Sequence, residues 1–223
     1  MIELNYPKNS LINKKIPKKE LLENLTLNSN QKKLLKEIEK INLLYLLSKE
    51  TTTIPPFVDE NYDYSSILVL EVNLNSDKHI KQLSTILQLI PQNLIIFFIF
   101  QDKITLSLAL KRINKNDPTK MVNEKEYIFT FEDNNLLELD FNKAPKTNLF
   151  IFYKYYIDLV VSFELAKYSI NKTDETTLNK IKEIENKINS LKKELKKAIN
   201  LNEKVEINME IYKLKEELKV LKK

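Results

Sequence analysis

Two apolar runs joined by a short polar segment stand in the middle of this sequence, NLIIFFIFQDKITLSLALKR at residues 93–112. The first run, residues 94–100, is apolar at every position, which is typical of a strand buried on both faces of a sheet. In the second run, residues 104–111, apolar residues alternate with small or polar ones, as in a strand. Gln101, Asp102 and Lys103 supply the turn between the runs. The pattern predicts a β-hairpin at the centre of a sheet.

Further elements surround this hairpin in the sequence. A period of two over residues 67–74 predicts a strand, and residues 77–90 have the apolar spacing of a helix that Pro91 ends. Residues 127–131 predict another strand. The order strand, helix, strand, strand, strand indicates an α+β fold, with N-terminal helices and a small mixed or antiparallel sheet that has helix packing on one face.

Two helices are predicted ahead of this sheet. Pro17 suits the first turn of a helix that continues through Glu20, Leu21, Leu22 and Leu25. Caps within residues 28–30 predict the start of a second helix, and residues 51–56 are a loop by composition. The apolar residues that would form the inward face of the second helix are Leu34, Leu35, Ile38, Ile41, Tyr45 and Leu46.

The C-terminal part of the chain predicts a helical arm. From Thr173 onward the composition shifts to Lys, Glu, Leu, Ile and Asn, with two apolar seams in different registers. We expect a coiled-coil hairpin with Asn202 as the cap of its second helix, and one long helix with a local stutter is the alternative. The predicted domains are an α+β core at 1–170 and a coiled-coil arm at 171–223. The seams consist of Ile181, Ile184, Ile188, Leu191, Leu195 and Ala198, and of Ile207, Ile211, Leu214, Leu218 and Leu221.

An aromatic-rich segment precedes the arm. Phe150, Phe152, Tyr153, Tyr155 and Tyr156 could stack nucleic-acid bases. Because they share helical spacing with the apolar residues that follow, a core-facing helix that joins the sheet to the arm is the simpler interpretation.

Composition excludes several classes of function. The chain has no cysteine, no glycine and one histidine, His79. Disulfides, thiolate nucleophiles and sulfur-bound zinc are therefore excluded, as are the P-loop, the dinucleotide fingerprint and the serine nucleophile elbow, which need glycine. Carboxylates, lysines and hydroxyls are the groups left for chemistry. We expect no catalytic residue, metal or cofactor.

A metal-dependent nuclease is the alternative that these groups allow. Such a site would place strand-borne carboxylates beside a lysine in an acid-x-Lys pattern. Glu71 on a predicted strand is followed two positions later by asparagine instead of lysine. The hypothesis would use Glu71 and Asp102, with Lys103 or Lys111 supplying the positive charge.

Hydropathy predicts no membrane contact. A membrane helix needs roughly 20 apolar residues, and the run at residues 94–100 is far shorter. The first ten residues lack a charged leader followed by an apolar run. We therefore expect a cytoplasmic protein.

Positive charge is densest near the start of a chain whose net charge is +5. Lys14, Lys15, Lys18 and Lys19 lie in a segment without acidic residues, and they are candidates for nonspecific phosphate contact. A lysine-biased terminus without function is the alternative. Lys111 and Arg112 are predicted where the hairpin emerges into a polar loop at 114–118, and Arg112 is the only arginine in the chain. One interpretation is a solvated strand end. The other is that Arg112 binds a phosphate or the carboxylate of a partner.

Four stretches resemble a known family. They are LINKKIPKKELLENL at 11–25, VLEVNL at 69–74, LALKR at 108–112, and the tail from IKEIENKINS to KLKEEL at 181–218. In order and spacing they resemble the prokaryotic domain of unknown function 4391 family. This resemblance implies an accessory protein encoded beside DNA methyltransferases and helicases of restriction-like or phage-defence systems. The matched positions are Lys14, Lys15, Pro17, Lys18, Lys111 and Arg112.

The resulting hypothesis is a non-catalytic adaptor. The second seam of the arm would bind a helicase or DNA methyltransferase, and the basic residues would touch DNA nonspecifically. Self-association through the coiled coil is a further possibility. The candidate partner-binding residues are Ile207, Ile211, Leu214, Leu218 and Leu221.

Overall fold

A six-stranded mixed sheet forms the first part of the chain. The structure, a computed structural model, describes residues 4–20, 25–131, 138–170 and 174–222. Strands β5 and β6 are parallel, and the other neighbours in the sheet are antiparallel. The order is β1-β2-β5-β6-β7-β8, and β3 with β4 makes a separate two-stranded sheet. The strands are β1 Leu11–Lys15, β2 Ile38–Ser48, β3 Phe57–Val58, β4 Asp63–Tyr64, β5 Ser66–Leu74, β6 Asn93–Phe100, β7 Lys103–Asn114 and β8 Asp117–Phe131.

Helices precede, interrupt and follow the strands. They are α1 Ser29–Leu34, α2 Lys49–Thr52, α3 Ile80–Leu87, α4 Leu149–Ala166, α5 Glu175–Lys197 and α6 Leu201–Leu221, with 3-10 turns at Lys8–Ser10 and Leu35–Glu37. Helices combined with a mostly antiparallel sheet confirm the predicted α+β class. In the parts of the chain that the structure describes, no helix has the length and apolar character needed to cross a membrane. Contacts divide the chain into two units, Met1–Val160 and Val161–Lys223.

The predicted central hairpin is confirmed. Strand β6 lies between β5 and β7, and Leu94 and Phe97 are fully buried. Gln101 in the turn to β7 has φ of 53°. Glycine usually occupies this left-handed region, and a glycine-free chain must place another residue there.

Helix α3 covers one face of this sheet. Leu83, Ile86 and Leu87 pack in one apolar cluster with Val72 and Phe98 of the strands. The predicted helix at 77–90 is confirmed, although its regular part begins at Ile80 and ends at Leu87.

Helix α4 supplies a second contact to the sheet. Its Tyr153 donates a hydrogen bond to the Leu94 carbonyl at 2.8 Å and accepts one from the Ala109 amide at 2.9 Å. Phe152 and Tyr156 are fully buried as well. The aromatic-rich segment is therefore a core-facing helix, as its spacing predicted.

The second N-terminal helix was predicted wrongly. Asn28 caps α1 through a capping box with Gln31, but the helix ends at Leu34 and residues 38–48 form strand β2. The apolar residues buried along β2 recur every three positions, and the pairing of this strand with β5 shifts register twice, with one added residue at each bulge. A spacing of three resembles helical periodicity. Those buried residues are Ile38, Ile41, Leu44 and Leu47.

Two further segments differ from the prediction. The predicted loop at 51–56 begins inside helix α2, and the predicted loop at 114–118 is a tight turn at 115–116 that leads directly into β8. Of the helix predicted after Pro17, residues 18–20 are helical, and Leu21 and Leu22 lie outside the described residues.

The arm is a pair of helices, which confirms the predicted hairpin. Helices α5 and α6 contact each other, and Lys187 forms an ion pair with Glu210 at 2.8 Å. Asn200 caps α6 by accepting a hydrogen bond from the Asn202 amide at 3.0 Å, so the prediction that Asn202 is the cap was wrong by two residues.

Candidate functional site

The basic N-terminal residues lie on and beside an edge strand. All five residues of β1 are exposed, and Lys14 and Lys15, being consecutive, point to opposite sides of the sheet. Lys18 donates a hydrogen bond to the Ile38 carbonyl, whereas Lys19 is exposed. Lysines on an edge strand also hinder unwanted strand pairing. Of the four, Lys14 and Lys15 are the ones best placed to meet a phosphate.

Lys111 is buried instead of lying at a solvated strand end. Its side chain is fully shielded, and its Nζ donates to the carbonyls of Ile90 at 2.7 Å and Gln92 at 2.6 Å. Burial lowers the pKa of this amine to about 7, against a smaller opposing effect of the Glu126 carboxylate. The expectation of a solvated end was wrong because β7 continues beyond Lys111 to Asn114, and the carbonyls at residues 90 and 92 accept hydrogen bonds from the Lys111 side chain. Lys111 is therefore shielded from contact with nucleic acid.

Arg112 contacts a carboxylate within the chain. Its Nε lies 3.4 Å from Oε1 of Glu124, and Tyr62 donates to Oε2 of the same carboxylate at 3.0 Å. Nη1 also donates to the Ile113 carbonyl at 3.2 Å. The guanidinium thus joins β7 and β8 to the loop that carries Tyr62.

The residues of the nuclease hypothesis do not converge. Glu71 accepts hydrogen bonds from Asn42 at 3.2 Å and Asn73 at 3.4 Å. It is in register with Phe97, five residues before Asp102, which corresponds to roughly 16 Å along the sheet. Among the described residues, no group of three His, Asp or Glu side chains is positioned to hold a metal ion.

The predicted partner-binding residues of the arm form the interior of the hairpin. Ile211 and Leu218 of α6 are buried, and Ile207, Leu214 and Leu221 are half-buried. The facing residues of α5 are buried too: Leu178, Ile181, Ile184, Ile188 and Leu191. A partner could reach this seam only by displacing one of the two helices.

A second apolar row lies on the other side of α6. Leu201, Val205, Met209 and Tyr212 follow steps of four, four and three, and each side chain is at least half exposed. We call these four residues the exposed stripe. Of the ten large apolar side chains exposed in the described parts of the chain, six fall between residues 199 and 220. Such a concentration is typical of an interaction surface.

Polar residues border the exposed stripe. Helical geometry places Glu206 and Lys213 along one side of it and Asn208 and Lys215 along the other, and all four are exposed. The sequence contains the signal for this stripe, because two apolar rows on one helix are visible in its spacing. Sequence reasoning missed it by assigning the apolar residues of α6 to a single seam.

Comparison with known proteins identifies a family. Searches of curated proteins and of solved structures gave no match. The family model described as domain of unknown function (DUF4391) matches residues 4–218. Since this match extends over nearly the whole chain, the protein belongs to the DUF4391 family.

Proposed function

We propose that this protein is a non-catalytic adaptor that holds a DNA-processing enzyme through its helical arm. The observation that carries the proposal is the exposed stripe on α6, a helix whose other face is already packed against α5. Apolar side chains in a row on an ordered helix are the usual means by which one helix binds another. The adaptor role needs only binding surfaces.

The partner surface is proposed to be an amphipathic helix or an apolar groove of matching length. From Leu201 to Tyr212 the stripe extends over 12 residues, and the 11 steps between them correspond to roughly 16 Å of helix. Glu206 and Lys213 at its border would fix register and orientation through opposite charges on the partner.

The proposed partner class is a DNA methyltransferase or helicase of a restriction-modification or phage-defence-like system. It follows from the resemblance of the motifs described above, and it would put the complex in the cytoplasm. DNA contact is proposed through Lys14 and Lys15, which are exposed on β1. Such contact would add affinity without sequence preference, because ammonium groups on phosphates read no base.

The test is a pair of charge substitutions in the exposed stripe. Val205→Asp with Met209→Asp places two carboxylates where a partner would bury apolar surface. We expect the tagged wild-type protein to recover a methyltransferase or helicase from its native host, and the double variant to lose at least about 90% of that recovery, since desolvating an unpaired charge is costly. Reconstitution with the purified enzyme would then check that the contact is direct.

Asn202→Asp with Asn208→Asp is the matched control, because it adds the same charge to the same helix outside the stripe. This control should keep the partner. Far-UV circular dichroism should show equal helicity in both variants, whereas Leu218→Asp in the buried seam should lose helicity as well as binding. Equal recovery by the two double variants, or recovery of nothing except a second copy of the chain, would contradict the adaptor proposal.

A further inference from the structure

A cleft of about 410 Å³ opens between the start of α3 and the strand ends beside it. This volume is within the range of small-molecule sites in proteins. The cleft lies where the parallel strands β5 and β6 end, and in open α/β sheets the carboxyl ends of parallel strands are where ligands bind. Its lining residues are Asp77, Lys78, Ile80, Lys81, Gln82, Phe100, Lys103, Thr105, Ile128 and Thr130.

Positive charge dominates this cleft. Lys78, Lys81 and Lys103 line it together with a single carboxylate, that of Asp77. Asp77 lies 3.5 Å from Lys103 and offsets one of the three ammonium groups. The remaining charge favours an anion with more than one negative oxygen.

The start of α3 adds backbone donors to the same cleft. Its first three residues, Ile80, Lys81 and Gln82, line the cleft, and the first amides of a helix have no partner within the helix. His79 stands at the N-cap but makes no capping bond, because its Nδ1 lies 2.6 Å from Glu37. The first turn contains no acidic residue either. The positive end of the helix dipole therefore faces the same space as the three lysines and Asp77.

Hydroxyl and apolar groups complete the lining. Thr105 is buried, and its Oγ1 lies 2.9 Å from Oγ1 of Thr130. Two hydroxyls that share one hydrogen bond keep one O–H group to donate to a ligand. Phe100 provides a half-buried ring at the edge of the same space.

We propose that this cleft binds a nucleoside di- or triphosphate. The phosphate chain lies against Lys78, Lys81, Lys103 and the open amides of α3, and the base packs against Phe100. Without glycine the chain cannot build a P-loop, but lysines and a helix start supply the same kinds of donor. This site shares no residue with the arm or with Lys14 and Lys15, so its failure would leave the adaptor proposal untouched.

Isothermal titration calorimetry of the full chain with ATP and with tripolyphosphate at low ionic strength tests the site. We expect both to bind wild type, with ATP the tighter because its base adds contacts. Lys81→Gln with Lys103→Gln should weaken ATP binding by at least about tenfold, as expected when charge-assisted hydrogen bonds are lost. Lys103→Arg should retain most of the binding, because it preserves the charge.

Lys49→Gln with Lys115→Gln is the matched control, since it removes two charges from exposed lysines at the opposite end of the sheet. Equal weakening by this control, or no heat of binding with ATP at millimolar concentration, would overturn the site. Tripolyphosphate that binds as tightly as ATP would overturn the nucleoside part. A single-stranded oligonucleotide that binds where ATP does not would assign these lysines to nucleic acid and likewise overturn the proposal.

Discussion

Lysine has three different roles in this protein, and only the local packing distinguishes them. Lys14 is exposed on an edge strand, Lys18 donates to a backbone carbonyl, and Lys111 is buried against two carbonyls. A neutral amine has two N–H groups, so Lys111 can satisfy both carbonyls without carrying charge. Its burial therefore costs less than the burial of a charged ammonium group would.

Replacement of Lys111 by methionine should change how stability depends on pH. The pKa of Lys111 is about 7 in the folded protein and 10.5 as its ordinary value. Between these values the unfolded chain binds a proton that the folded chain does not. Wild type should thus gain stability relative to Lys111→Met by up to about 1.4 kcal/mol per pH unit as pH rises. The stability gained in this way is complete above pH 10.5, decreases as the pH falls below that value, and is lost once the pH has fallen through 7.

Urea unfolding of both proteins between pH 7.5 and 9.5 measures this difference. Lys115→Met provides the control at an exposed position and should show no added pH dependence. A constant difference between wild type and Lys111→Met across that range would mean that the buried amine keeps its proton in the folded state.

At the scale of elements, apolar periodicity predicted the helices of the arm correctly and strand β2 wrongly. In the arm, a change of register near Asn200 correctly predicted a turn. In β2, a strand with two bulges, the buried apolar residues recur every three positions, and the same reasoning predicted a helix. Bulges depend on which strand becomes the neighbour, and the residues of β2 alone do not contain that information.

The cap of α6 gives an element-scale prediction. Asn200→Ala removes the side-chain acceptor at the N-cap and should lower the stability of α6 by about 1 kcal/mol. Asn202→Ala, at an exposed position without a capping acceptor, should change it by less than about 0.5 kcal/mol. Hydrogen exchange at the first amides of α6 reports the difference, and equal protection in the two variants would argue against the cap.

At the scale of the whole molecule, the net charge of +5 is modest, so local clusters matter more than the total. Lys14 and Lys15 protrude from both sides of an edge strand. Arg112 is engaged by Glu124, and Lys111 is buried. Of the six sequence candidates for nucleic-acid contact, these two and Lys18, which donates to the Ile38 carbonyl, now have structural roles.

Salt dependence measures how many lysines contact DNA. Lys14→Gln with Lys15→Gln should lower the slope of log affinity against log salt by about 1.8 for duplex DNA, the amount expected when two phosphate contacts are lost. Lys32→Gln with Lys33→Gln removes the same charge from exposed positions on α1 and should change the slope less. The same decrease in both variants would show that only the net charge matters.

The sequence determined the features that follow from local spacing and composition. The central hairpin, the strand at 67–74, the helix at 77–90 and the helical hairpin of the arm were predicted because apolar periodicity reflects one-sided burial of each element. The absence of glycine and cysteine excluded whole classes of site, because the backbone and side-chain chemistry of those sites depends on these two residue types.

The tertiary structure alone decided which surfaces are free. It buried Lys111 against the carbonyls of Ile90 and Gln92, paired Arg112 with Glu124, and used Leu218 inside the arm, leaving the opposite row from Leu201 to Tyr212 exposed. It also brought Lys78, Lys81 and Lys103, which belong to different elements, to one cleft. The reason is physical: whether a side chain meets water, a carbonyl or another charge depends on residues distant in the chain, which folding brings beside it.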